Sequence, residues 1–245
     1  MRVAFFTTCV VDLFEPDVGV AAVQVLRAAG CDVSCPSGQT CCGQPAWNAG
    51  FAEDAAAVAR GTLDALADDP ADAVVVPAGS CATMVRVFWP ELFEVVGDHG
   101  RAEKARRLGE RLFELTEFVD QHRPALRADQ HEVVAYHHSC HMLRELGLQE
   151  PPERLLDSIG CERAEWPADR RCCGFGGLFS FKLPETSIAM ADDKLASLDG
   201  TDVTTIVGSD TSCLLHLRGR AEHEGRRVEV RHIALLLAAA LDGHG

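Results

Sequence analysis

Eight of the eleven cysteines fall into two copies of one frame. The first copy is Cys9, 31 residues, Cys41-Cys42-Gly43, then Cys81. The second is Cys140, 31 residues, Cys172-Cys173-Gly174, then Cys213. The offset between copies is 131 residues at the first three positions and 132 at the fourth. Thiolates are soft ligands, and four in one place suit an iron–sulfur cluster or a tetrahedral zinc ion. Structural zinc sites commonly use C-x₂₋₄-C knuckles. The nearest here, Cys31-x₃-Cys35, has no counterpart in the second copy. The vicinal pair also suits thiol–disulfide exchange, and the plainest alternatives are disulfides or chance core cysteines. Adjacent residues of a strand point to opposite faces, so a sharp turn is needed to bring both cysteines of a pair to one site. Gly43 and Gly174 allow it, because glycine tolerates positive φ.

The elements around the cysteines repeat as well. In the first half, Arg2–Phe6 reads as a strand, Asp17–Ala29 as a helix stopped by Gly30, and Asp32–Cys35 as a second strand. A Gly- and Pro-rich loop carries Cys41 and Cys42, Ala52–Ala67 is a helix, and Ala73–Val76 is a buried strand leading to Cys81. Ser80 is a candidate cap for the helix that follows. In the second half the same order is Val133–Tyr136, Pro152–Ile159 stopped by Gly160, Glu162–Trp166, the loop of Cys172 and Cys173, Glu185–Ser197, and Val203–Val207 leading to Cys213. Ala102–Gln121 reads as one long charged helix. This alternation predicts an α/β fold of two tandem, pseudo-symmetric Rossmann-like halves, with parallel sheets and helical crossovers. The halves are expected at 1–121 and 132–245, joined by a linker at 122–131, each long enough to bury a core. The cysteines then lie at the carboxyl ends of strands, where open α/β sheets hold ligands.

Composition narrows the function. A net charge of −14 argues against a nucleic-acid surface, which needs clustered Lys and Arg. Hydrophobic residues make up 47%, and mean hydropathy is near zero. No signal peptide is visible, and no apolar run approaches the roughly 18 residues of a membrane span. A cytoplasmic protein is expected, and in that compartment clustered cysteines favour metal or redox chemistry over disulfides. Gly174-Phe-Gly-Gly177 lacks the spacing of a dinucleotide fingerprint, and no P-loop or flavin signature is present.

Four stretches carry a family resemblance: Pro77-Ala-Gly-Ser-Cys-Ala-Thr-Met-Val-Arg86, Tyr136-His-His-Ser-Cys-His-Met-Leu-Arg-Glu-Leu-Gly147, Cys172-Cys-Gly-Phe-Gly-Gly177 and Ser209-Asp-Thr-Ser-Cys-Leu-Leu-His216. Over nearly its whole length the chain resembles the cysteine-rich Cys-Cys-Gly domain family, which binds iron–sulfur clusters with two tandem copies. The resemblance implies metal ligation by Cys9, Cys41, Cys42 and Cys81 in one half and by Cys140, Cys172, Cys173 and Cys213 in the other. It implies one [4Fe-4S] cluster per half, with zinc as the alternative. It is strongest to members that oxidise L-lactate to pyruvate, which implies two further lactate-utilisation subunits, one of them ferredoxin-like, and a small 2-hydroxy acid as substrate of the complex. Other members imply other readings: a thiol–disulfide reductase of the heterodisulfide reductase kind, or the iron–sulfur subunit of a glycolate or glycerol-3-phosphate dehydrogenase. A structural zinc scaffold is a third. The fuller family motif ends each half in C-x-x-C. Here Met84 and His216 stand at those positions, which counts against heterodisulfide chemistry and noncubane clusters.

Several residues near the frame have both a chemical and a plainer reading. His216 is a donor to a cluster sulfur, a ligand or, on the plainer reading, a structural polar contact. Met84 is read as packing. His137, His138 and His141 surround Cys140 and suit proton transfer or metal binding, against the plainer reading of surface-loop histidines. Of the three, His138 and His141 are favoured because they flank the cysteine. Arg86 and Arg218, each five residues beyond a ligand cysteine, either offset cluster charge, bind a carboxylate or are solvated. Cys31 and Cys161, each following a helix-ending glycine, are read as core.

Overall fold

The protein is described from a computed structural model covering residues 1–241. Short apolar runs bounded by glycines form two separate four-stranded, all-parallel sheets. The first contains β1 (Arg2–Phe5), β2 (Asp32–Ser34), β3 (Ala73–Val76) and β4 (Leu112–Glu114), in the order β2-β1-β3-β4. The second contains β5 (Val133–His137), β6 (Glu162–Arg163), β7 (Thr205–Gly208) and β8 (Glu229–His232), in the order β6-β5-β7-β8. The registers match. Phe5 pairs with Val75 as Tyr136 pairs with Val207, and Val76 pairs with Glu114 as Gly208 pairs with His232. The central strands are covered on both faces, so β3 is apolar and buried throughout.

The long helix expected over Ala102–Gln121 is not continuous. It divides into His99–Gly109, edge strand β4 and a helix at Leu115–His122. Edge strand β8 was likewise not foreseen. The helix after β3 starts at Gly79 with Ala78 at its cap, so Ser80 lies inside it. Four expected strands are shorter than read: β1 ends at Phe5, β2 at Ser34 and β6 at Arg163, and β7 starts only at Thr205.

Three apolar clusters fill the interior. One belongs to the first half and includes Phe6, Leu63, Met84, Trp89 and Phe93. One belongs to the second half and includes Trp166, Leu195, Ile206 and Leu217. The third is common to both. Val3, Phe5, Val18, Val25 and Leu26 pack there with Tyr136, Leu155, Ile159, Ile233 and Leu237. The helix Pro16–Ala28 lies against the helix Ile233–Ala239 at its centre. Cys31 and Cys161 sit in this layer, as expected of core residues.

The halves also meet through equivalent residues. Ala78 and Asp210, each three residues before a frame cysteine, form an antiparallel bridge. The Ser80 amide donates to Asp210 Oδ2 at 2.8 Å, and the Gly79 amide donates to the Ser209 carbonyl at 3.4 Å. The carboxyl ends of β3 and β7 are thereby held together, and the cysteine loops beside them. Among the described residues, no helix is long and apolar enough to cross a membrane.

Candidate metal centre

Each cysteine set is assembled from three places at one end of its sheet. Cys9 and Cys140 open the short helices after β1 and β5. Cys81 and Cys213 lie in the first turn of the helices after β3 and β7. The vicinal pairs come from the loops between. In the first half Cys9 Sγ is 3.5 Å from Cys41 Sγ, and Cys42 Sγ is 3.3 Å from Cys81 Sγ. In the second half Cys172 hydrogen-bonds with Cys140 and Cys173, and Cys173 with Cys213. All eight frame cysteines therefore gather into two sets of four.

The loops are pinned from behind. Thr62 Oγ1 donates to the Cys41 carbonyl at 3.2 Å, and Trp89 Nε1 donates to the Cys42 carbonyl at 2.8 Å. Ser187 Oγ donates to the Gly174 carbonyl at 2.7 Å. Gly43 and Gly174 have φ of 82° and 90°. A Cβ on either would also come within 2.6 Å of Ala55 O or 2.5 Å of Ser187 O. Backbone N–H groups then face the sulfurs: Gly43 N lies 3.4 Å from Cys41 Sγ, Gly174 N 3.4 Å from Cys172 Sγ, and Phe175 N 3.5 Å from Cys173 Sγ.

One sulfur in each set is poised as thiolate. Hydrogen bonds from Cys42 and Cys9 bring Cys41 down to about 3. Those from Cys140 and Cys173 bring Cys172 down to about 2. The donors are pushed the other way: Cys9 and Cys42 are raised chiefly by Cys41, and Cys140 and Cys173 by Cys172. For Cys213 the hydrogen bond with Cys173 lowers and burial raises, and the net direction is upward. Four such sulfurs at contact distance all become thiolates when a cation neutralises them. Four thiols per set, with amide donors aimed at sulfur, fit a metal–sulfur group.

The neighbouring residues divide. His137 is 1% exposed, and its ligand atom, Cys173 Sγ and Cys213 Sγ all lie within 4.8 Å of one another. His138 is buried as well, and its Nε2 turns to Glu153 Oε1 at 3.1 Å. Burial of both overturns the surface-loop reading, because β5 extends through His137 and carries them into the interior. His141 lines a small cavity of about 50 Å³ with Cys140, Cys172, Cys173 and Cys213. Its Nε2 accepts from Gln44 Nε2 of the first half at 2.8 Å. His216 Nε2 lies 3.2 Å from Ser187 Oγ, so it braces the Cys-Cys-Gly loop through that serine. Arg86 is paired with Glu117 at 2.7 Å, and Arg218 with Glu15 across the halves. Met84 is fully buried in the first-half cluster.

Two buried groups near the second set differ from the sequence reading, which names His137 but favours His138 and His141, and does not name Lys194. One is His137 as a neighbour of the sulfurs. The other is Lys194, fully buried, which donates to the carbonyls of Ala168 and Asp169 and lies 4.0 Å over the Trp166 ring. Superposing the two halves on their cysteines would have flagged His137, because it falls on Phe6. Nothing in the sequence marks Lys194 as buried.

Fold and site define a duplicated α/β protein with one four-cysteine centre at the sheet end of each half. The chain belongs to a family described as the cysteine-rich domain (CCG), which matches it twice, over residues 3–86 and 134–218. It is 38% identical over 245 residues to lactate utilization protein A 1 of Bacillus anthracis (strain CDC 684 / NRRL 3495), covering 99% of this chain and 100% of the relative. It is 40% identical over 240 residues to lactate utilization protein A 1 of Bacillus mycoides (strain KBAB4), covering 97% and 96%. Lactate utilization protein A 2 of Bacillus cereus (strain Q1) is 37% identical over 244 residues, covering 98% and 99%.

Proposed function

We propose that this chain is the iron–sulfur subunit of a cytoplasmic assembly that oxidises L-lactate to pyruvate. The gathering of eight cysteines into two pinned sets of four carries the reading. Cys9, Cys41, Cys42 and Cys81 hold one cluster, and Cys140, Cys172, Cys173 and Cys213 the other. A [4Fe-4S] cluster supplies one-electron storage when bound. The chain's own part is to exclude water from the buried sulfurs, donate backbone N–H groups to them and hold the two sets in one rigid body. The full-length relatives named for lactate utilization support the substrate, and electrons pass to two partner subunits, one ferredoxin-like.

The close sulfur spacing of 3.3–3.5 Å favours a second reading, one tetrahedral metal per set. A zinc–sulfur bond of about 2.3 Å gives tetrahedral edges of roughly 3.8 Å. Metal analysis of protein purified without oxygen separates the two. The iron–sulfur reading expects a brown protein with about eight irons and matching sulfide per chain. Cys42→Ser should remove half of them. A colourless protein holding zinc and no sulfide overturns it.

A further inference from the structure

We propose that the two centres are built unequal: a ring nitrogen of His137 contacts the metal–sulfur group of the second half, with buried Lys194 as its nearby positive charge. The inference rests on the iron–sulfur reading and goes beyond it. Phe6 and His137 each stand three residues before the first cysteine of their frame, Phe6 just past β1 and His137 as the last residue of β5. Phe6 is fully buried among apolar groups, so the first set has a hydrocarbon wall there. His137 is as deeply buried, and neither Nδ1 nor Nε2 makes a hydrogen bond of normal geometry, although the Asp169 backbone lies close enough to the ring to interact with it. A buried polar atom left unpaired carries its full desolvation cost, so a ring with at most one marginal contact for its two nitrogens implies a partner in the working protein. The sulfurs of Cys173 and Cys213 lie within 4.8 Å of the ring's ligand atom.

Lys194 repeats the contrast. Ala55 and Ser187 stand in the same relation to the two loop glycines, and Thr62 and Lys194 follow each by seven residues. In the first half that position carries a neutral hydroxyl bonded to the Cys41 carbonyl. In the second it carries an ammonium within one helical turn of Ala191, in the cluster that packs Cys173 and Cys213. Nitrogen ligation, or an N–H donated to sulfur, raises the reduction potential of a cluster. A nearby cation stabilises the more negative, reduced state. Both act on one half only, so an electron on this chain rests on the second centre.

The test uses the loaded full-length protein, its histidines labelled with ¹⁵N. Pulsed EPR of the reduced protein should show a histidine nitrogen coupling on one centre. His137→Phe, which copies the first half, should abolish it. In a redox titration of His137→Phe the same centre should be about tenfold less reduced at a given potential, about 59 mV for one electron, while the other centre stays put. Lys194→Met should lower the same potential and keep the coupling. A large coupling marks ligation and a small one a hydrogen bond, and either supports the contact. Unchanged coupling and potential in a His137→Phe protein that carries both centres overturns it. Should that variant fail to load, the wild-type spectrum decides, because absence of any histidine coupling overturns the contact directly. A preparation with neither iron nor sulfide instead sinks the iron–sulfur reading beneath it.

Discussion

At the scale of single residues, the glycines of the two Cys-Cys-Gly loops are constrained twice. Their φ is positive, and a Cβ would strike a helix carbonyl oxygen. The conformation alone costs a side chain about 1–2 kcal/mol. Gly30 has a similar φ of 80° but nothing within 4 Å of an added Cβ. Gly43→Ala and Gly174→Ala should therefore destabilise more than Gly30→Ala, and each should lower metal content in its own half. Thermal melts with metal analysis check both, and equal losses of stability in all three would show that the close approach does not matter. The cysteines and these glycines were legible in the sequence because the repeat displays them twice. His137 was not singled out, because a strand's last residue and a loop's first look alike in sequence. Only the register of β5 turns His137 inward and passes His138 to Glu153.

At the scale of elements, the edge strands β4 and β8 were the part that sequence concealed. β4 is three residues between two helices, and β8 alternates exposed and buried residues over only four. An edge strand has one neighbour, so it carries little of the apolar signal that exposed β3 and β7. Each edge strand nonetheless ends in a buried cap for the next helix. Glu114 Oε2 accepts from the Thr116 amide at 2.6 Å, and His232 Nδ1 accepts from the Ala234 amide at 3.1 Å while Nε2 donates to the Pro77 carbonyl. Burial pushes the Glu114 carboxyl from 4.5 up to about 8, and pulls His232 from 6.5 down to about 4. The signs differ. Between 4.5 and 8 native Glu114 holds a proton that the unfolded chain has released, so its contribution falls as pH rises. Between 6.5 and 4 native His232 lacks a proton that the unfolded chain has gained, so its contribution falls as pH drops. Melting curves should show Glu114→Gln gaining on the wild type toward pH 8, and the deficit of His232→Asn shrinking toward pH 4. Differences that stay constant with pH would mean that these caps do not titrate as their burial requires.

At the scale of the molecule, the duplicated sequence suggests two halves that stand alone, and the packing argues otherwise. Each sheet has one face covered by its own helices and the other turned to the common layer. A separated second half would bare Tyr136, Leu155, Ile159, Ile233 and Leu237, together an apolar face of the size that drives association. The segment 122–131 is tied to the second half by contacts of its own, since the Arg127 amide bonds the Ala240 carbonyl at 2.7 Å and Leu126 bridges Leu241. Cutting it should therefore leave the molecule intact. A protease site inserted after the exposed Ala125 and cleaved in the folded protein should give two fragments that elute together at the original size. They should keep both metal centres and melt in one transition, because the layer that joins them is also the floor of both sheets. Two separately eluting fragments, each loaded and each melting on its own, would show instead that the repeat marks two independent domains and that the common layer is only a contact between them.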